Sequence, residues 1–362
     1  MDKNAAKKQI MKLYLADGAG ALMFASASWV ALLAARGFST IEIGLLESIF
    51  HLTSMTCEVP SGVIADVFGR KKTMVVSTML SVLTSFMMIF TDSFAMIAVT
   101  MMLCALSYNL ASGTREALAY DSLKEADAES EYDKFASNDM IIYSAAHSAA
   151  TMLAGAALLL GYKRAYFIDA FIGIIAVIVA LSLTEVKTEL NQKSDVGERF
   201  REVIFESLRF IKDNQKARLM IIFNAVTGAV SILILFFLQA KLPEMGLNKV
   251  LLGPALFAMG LGSVVGAKVI EFFKGVRYRK IAMLSLIGIV VALTAVFSGN
   301  CLFVVIGGFI GAVADNFLEI RTDVALNNMI PSDQRATLMS INSFAFSVFM
   351  IVMSPVFGWI FS

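Results

Sequence analysis

The chain has 362 residues, 58% of them hydrophobic and 16% charged, with a formal net charge of +1. A soluble domain usually carries about 25% charged residues, so this composition argues against one, and no basic face is available for binding nucleic acid. The three cysteines, Cys57, Cys104 and Cys301, are odd in number and sit in apolar runs, so they read as buried small hydrophobes rather than a disulfide framework.

The opening "MDKNAAKKQI" is basic but has no small-residue cleavage site, and it reads as the start of a retained first helix. Apolar spans then lie near 10–35, 41–64, 73–91, 94–120, 136–160 and 165–184. After a polar connection they resume near 217–240, 250–272, 281–298, 301–326 and 336–361, making eleven. Only helices or closed barrels satisfy their backbone in lipid, and these runs lack the alternation of barrel strands. An all-α polytopic membrane protein is therefore expected.

Lys and Arg set its orientation. They gather at Lys3, Lys7, Lys8 and Lys12, at Arg70, Lys71 and Lys72, through the 185–216 connection, and at Lys274, Arg277, Arg279 and Lys280. The opposite loops hold only Arg36, Lys163, Arg164, Lys241 and Lys249. The expected N-terminus is cytoplasmic. Within the connection Phe200, Val203, Ile204, Leu208 and Ile211 recur at helical spacing, which suggests an amphipathic strut along the membrane face.

The chain repeats itself. Gly37, Gly44, Arg70, Lys71 and Met74 recur at one constant offset as Gly246, Gly253, Arg279, Lys280 and Met283. At a shorter offset Asp133, Ala136 and Ser137 recur as Asp333, Ala336 and Thr337, which places extra residues of the first half near "KEADAESEYDK". Two parallel halves with a site between them are the architecture of many secondary carriers. The expected organisation is a six-helix half at 1–184, a linker at 185–216 and a second half at 217–362. The partner of the sixth span would start just beyond Ser362, so the twelfth helix is expected to be absent.

Ionisable residues inside a bilayer cost roughly 2.5–3.5 kcal/mol each on insertion scales and default to functional candidates. Glu47, His51, Ser54 and Glu58 share a face of span 2, and Asp139, Tyr143 and His147 share one of span 5. Span 7 offers Asn224, Thr227 and Ser231, and span 10 offers Asp315, Asn316 and Glu319. Asp315, Glu47 and Asp17 are the candidates for proton coupling, Asp315 first because it lies near the midplane. The cavity candidates are His51, Asn109, Tyr143, His147, Asn224, Asn316 and Asn342. Glu58, Arg115, Lys268 and Asp323 lie near span ends, where they are expected to snorkel or pair locally.

One loop is more specific. "GVIADVFGRKKTM" at 62–74 resembles the loop signature G-x-x-x-D-x-x-G-R-K of the major facilitator superfamily. The preceding Glu58-Val-Pro-Ser-Gly and "SGTREALAYDSL" at 112–123 resemble bacterial members of its multidrug and sugar-permease branch. The resemblance implies two pseudo-symmetric six-helix halves, here with eleven spans. It also implies a conformational latch at Gly62, Asp66, Gly69, Arg70 and Asp121, with Asp66 meeting the turn near Ala336 and Arg70 pairing with Asp121. Gly62 and Gly69 would permit close helix approach and a turn costly for other residues. For Lys71 and Lys72 plain positive-inside anchoring is the preferred reading. Drug exporters carry Gly-Pro in span 5, which "AAHSAATMLAGAALLLG" lacks, and in their span 4 a Gly follows the Arg, whereas here Gly113 precedes Arg115.

The implied function is secondary active transport of a small molecule across the cytoplasmic membrane, as proton-coupled efflux of drug-like or amphiphilic compounds. The alternatives are proton-coupled uptake of a sugar or small metabolite, and a non-transporting sensor or scaffold. No phosphate-binding loop, zinc motif or Cys/His spacing points to an enzyme, a metal or a cofactor. The expected partners are the substrate, protons and lipid, with the protein a monomer.

Overall fold

A computed structural model describes residues 1–186, 205, 212, 214–273, 275–329 and 335–362, with the backbone alone at 335–340. All regular structure among them is helical. The first part holds α1 (Lys3–Ala21), α2 (Phe24–Ala27), α3 (Trp29–Ala35), α4 (Thr40–Phe68) and α5 (Arg70–Phe90). There follow α6 (Phe94–Ala111), α7 (Thr114–Glu125), α8 (Tyr132–Met152), α9 (Ala154–Leu160) and α10 (Tyr162–Leu181). The later part holds α11 (Gln215–Glu244), α12 (Lys249–Val269), α13 (Tyr278–Ala295), α14 (Cys301–Asn327) and α15 (Arg335–Ile360). The residues expected to form the linker strut, Phe200 to Ile211, lie outside the described residues apart from Phe205.

Among the described residues eight helical segments are long and apolar enough to cross a membrane, and a ninth if α8 and α9, bent by 46° at Leu153, count as one. These fall on the third to eleventh expected spans. The first two do not meet the same test, so the count of eleven is not reached. The first expected span is not one rod but three helices, interrupted at Leu22–Met23 and Ser28. The second, α4, carries Glu42, Glu47, Glu58 and Asp66 along its length. Large apolar side chains on the outside of α10, such as Phe171 (62% exposed) and Ile178 (61% exposed), suit lipid rather than water. The cysteines are free and half-buried, more open than the sequence suggests.

The breaks have identifiable partners. At the interruption of the first span the buried Asp169 of α10 accepts from the Ala25 N–H (3.3 Å), the Ser26 N–H (2.8 Å) and the Ser26 hydroxyl (3.0 Å). In lipid such freed amides have no water to turn to, so the carboxylate makes the break tenable. Between α4 and α5 the chain turns at Gly69, whose φ of 100° disfavours any side chain.

The chain divides into two compact units, Met1–Leu32 with Leu52–Phe200, and Leu33–His51 with Arg201–Ser362. In the first, Leu13, Met74, Leu118, Leu123, Phe135 and Leu183 form a buried apolar cluster. There α5 and α6 are clasped by Ser77 and Ser107, each hydroxyl donating to the other residue's carbonyl at 2.8 and 2.9 Å. The second unit packs through small residues, as membrane helices do when apolar burial gives little drive. A Cβ at Gly262 or Gly266 of α12 would strike the carbonyls of Phe309 or Val313 on α14. The first half of α4 meets α15 the same way, Gly44 against the Ser354 carbonyl and Gly358 against that of Thr40. Thr40 Oγ1 donates to the Gly358 carbonyl (2.6 Å) and Ser48 Oγ to that of Ile351 (2.7 Å), sealing the contact.

Gly62 is exposed within α4, and a Cβ there would meet nothing within 4 Å among the described residues. The two glycines make a paired test. Gly44→Ala should cost about 1–3 kcal/mol, because backbone cannot yield as a flexible side chain would. Gly62→Ala should be neutral or slightly stabilising. Thermal unfolding in detergent checks both, and equal effects would contradict the packing described.

Candidate functional site

Three groups of polar side chains stand inside the helices, two in the first unit and one in the second. The first surrounds the start of α5. Arg70 forms an ion pair with Asp121 of α7, and its Nη1 also donates to the Ala117 carbonyl at 2.8 Å. The N-terminus of α5 is met by Glu185, whose Oε1 accepts the Lys71 N–H at 3.1 Å, a fitting place for an anion given the free amides and helix dipole. Nearby, Gln9 exchanges hydrogen bonds with the backbone of Thr184 (2.7 and 3.0 Å), and Lys12 Nζ donates to the Ser182 carbonyl (2.5 Å). Asp66 is exposed. The turn expected to meet it, near Ala336, falls where side chains lie outside the described residues. Glu185 was not legible as a member of this group, since it opens a polar linker 114 residues from Lys71.

The second group centres on Arg115 at the start of α7. Its Nη1 pairs with Asp17 of α1, its Nη2 lies 2.8 Å from Glu116 Oε1, and its Nε lies 3.1 Å from Asp139 Oδ2 on α8. Arg115 was expected to snorkel or pair locally; it does pair with the adjacent Glu116, and its side chain, 21% exposed, also ties α1 and α8 to α7. Asp17 Oδ2, Glu116 Oε2 and Asp139 Oδ1 are buried and have no hydrogen-bond partner among the described residues. Farther along α8, Tyr143 and His147 stack with centroids 5.8 Å apart and planes within 1°. The expected cavity residue Asn109 is committed elsewhere in this unit, accepting from Ser54 Oγ (2.9 Å) and donating to the Ser54 carbonyl (2.6 Å).

The third group lies in the second unit. Glu47 is 6% exposed and sits 3.3 Å from His51 Nε2. The His51 ring stands edge-on to Phe346 of α15, centroids 5.6 Å apart. Phe346 in turn borders Gly228 of α11, where a Cβ would lie 3.8 Å from its ring and 3.6 Å from Asp315 Oδ1. Ser231, one turn on from Gly228, is the hydrogen-bonding side chain facing Asp315. The fold thus sets His51, with Glu47 beside it, edge-on to Phe346, places Asp315 and Phe346 both beside Gly228, and sends the third expected proton-coupling residue, Asp17, to Arg115. Asn224, Asn316 and Asn342 are half-buried on α11, α14 and α15.

Asp169 was missed, although a carboxylate inside the sixth span satisfies the rule that flagged the others. Its three donors make it a structural clamp on the first span. No group of three or more His, Cys, Asp or Glu among the described residues is arranged to hold a metal ion.

With this geometry in hand, known proteins can be compared. The sequence profile of the Major Facilitator Superfamily matches residues 13–275. An uncharacterized MFS-type transporter, YxaM of Bacillus subtilis (strain 168), is 25% identical over 344 residues, covering 91% of this chain and 83% of that protein. The crystal structure of the nucleoside transporter NupG superposes with a TM-score of 0.74 at 16% identity, covering 96% of this chain and 90% of that one. An inward-facing bacterial homolog of the human lysosomal transporter Spinster gives a TM-score of 0.72 at 15% identity, covering 98% and 82%. At these identities the two structures speak for the fold alone, while the profile spans most of the sequence. The chain is a multi-pass membrane protein of the Major Facilitator Superfamily of transporters.

Proposed function

We propose that this protein is a proton-coupled secondary carrier that exports amphiphilic small molecules across the cytoplasmic membrane by alternating access, with its N-terminus on the cytoplasmic side. The observation that carries the coupling is Asp315, a half-buried acid midway along α14 with Ser231 and the open flank of Gly228 beside it. Among the described residues it forms no ion pair, and a carboxylate at such depth is a side chain able to load and unload a proton. His51, which stands edge-on to Phe346, has Glu47 beside it at 3.3 Å, which supports a relay. The Arg70–Asp121 pair supports the latch reading, in which the loop must release for the carrier to alternate.

The test is a substrate screen in reconstituted vesicles under an imposed pH gradient. Asp315→Asn should abolish gradient-driven movement while sparing substrate binding. If the variant still moves substrate against a gradient, coupling lies elsewhere, with Glu47 next in line. Substrate accumulation in right-side-out vesicles would reverse the direction to uptake, and no flux of substrate or protons would leave a sensor or scaffold.

Asp66→Asn or Arg70→Ala should slow turnover and leave the substrate Kd within a few fold, because the latch lies far from any midplane site. Weakened binding at unchanged turnover would count against the latch.

A further inference from the structure

The Arg115 group is out of balance. One guanidinium faces three carboxylates, from Asp17, Glu116 and Asp139. Its Nη1 and Nη2 hydrogen-bond to Asp17 and Glu116, while its Nε, ion-paired with Asp139, makes no hydrogen bond, so a single cation is shared among three anions. The carboxylates are in the opposite position. Each spends one oxygen on Arg115 and keeps the other buried without a donor from the protein. Asp139 is the telling member, because its residue is only 5% exposed and its free Oδ1 cannot turn to bulk water. Buried acceptors without donors are costly, and an excess of negative charge in a low-dielectric site draws a cation that can donate hydrogen bonds. A metal ion is not the natural occupant, since no metal-holding group is formed among the described residues. An ammonium group, with up to three N–H donors, suits the unmet oxygens.

What lies next to the carboxylates gives the shape of the rest. Tyr143 stands one turn along α8 from Asp139 on the same face, is 46% exposed, and stacks flat against His147. Within its own unit this aromatic pair is open. It offers a platform for an apolar body attached to the charged head, and ring faces also attract cations.

We propose that the Arg115 group binds an organic ammonium ion, so that the compounds carried are protonated amines with an aromatic or other apolar body. The inference rests on reading the chain as a small-molecule carrier, and it names the cargo class.

Binding is measured by calorimetry on the full-length protein in lipid nanodiscs. The probes form a matched set of phenethylammonium, neutral 2-phenylethanol and anionic phenylacetate. Phenethylammonium should bind about tenfold or more tightly than the alcohol, with the carboxylate weakest, as expected for a buried charge pair. Asp139→Asn and Glu116→Gln should each shrink that preference by about tenfold, and two variants guard against misfolding of one. Glu125→Gln, a partly exposed partner of the N-terminal amine, should leave it unchanged. Equal binding of the alcohol, tighter binding of the carboxylate, no ammonium binding at millimolar concentration, or a preference that survives both substitutions would overturn the proposal. Vesicles that drive a neutral compound against a gradient while showing no ammonium preference would also overturn it, yet leave the carrier reading standing. Absence of any coupled flux would instead fall on that reading.

Discussion

In the hydrocarbon of a bilayer no water is available to satisfy a polar group, so an amide, hydroxyl or charge left there without a partner is costly. That constraint explains why the structure is helical wherever it is described, and also where it departs from helix. The first span breaks where Asp169 can receive the freed amides. α5 begins where Glu185 can meet its N-terminus. Hydroxyls inside the spans fold back on their own helix, as Thr100 does on Met96 and Ser354 on Met350, or clasp a neighbour, as Ser77 and Ser107 do. With apolar burial contributing little between helices, close contact through Gly44, Gly262, Gly266 and Gly358 provides the packing instead.

Charge is handled differently in the two units, although the sequence repeat relates their halves. In the first unit the acids converge on a guanidinium, which compensates part of their charge and fixes α1, α7 and α8 against one another. In the second, Glu47 has a histidine beside it, and Asp315 has the Ser231 hydroxyl, Gly228 and Glu319 nearby. A buried pair that loses one partner is strongly destabilised, so the first arrangement holds its helices together. The second has no ion-paired countercharge on Asp315 among the described residues.

The 62–74 loop belongs to the same economy of polar groups. Arg70 is not simply a topology signal, because Asp121 and the Ala117 carbonyl both engage it. Its neighbour Glu185 joins the turn at Gly69 to the entrance of the inter-half linker, while Gln9 and Lys12 fasten the adjoining backbone to α1. The start of α5 is therefore tied to α7 directly and to α1 through the backbone at 182–185, within one unit.

Composition, span length and the loop signature by themselves determined the class of protein, its helical architecture and its family, because lipid imposes a periodic and local demand that any stretch of sequence either meets or fails. The Arg70–Asp121 contact was legible for a related reason, since a sequence signature carried it. The relations among distant acids were not. Nothing in the spacing of Asp17, Arg115 and Asp139 announces that they meet, and Arg115 read alone looked like a side chain reaching for the surface. The three-helix interruption of the first span was hidden too, since its apolar pattern continues through the break and only Asp169, far along the chain, makes it tenable. Gly44 and Gly62 look alike in sequence, yet a Cβ at the first would strike backbone and a Cβ at the second meets nothing within 4 Å among the described residues. These were decisions of the tertiary structure, because pairing charge and closing helix on helix depend on which residues three-dimensional packing brings within a few ångströms, a distance that separation along the chain does not encode.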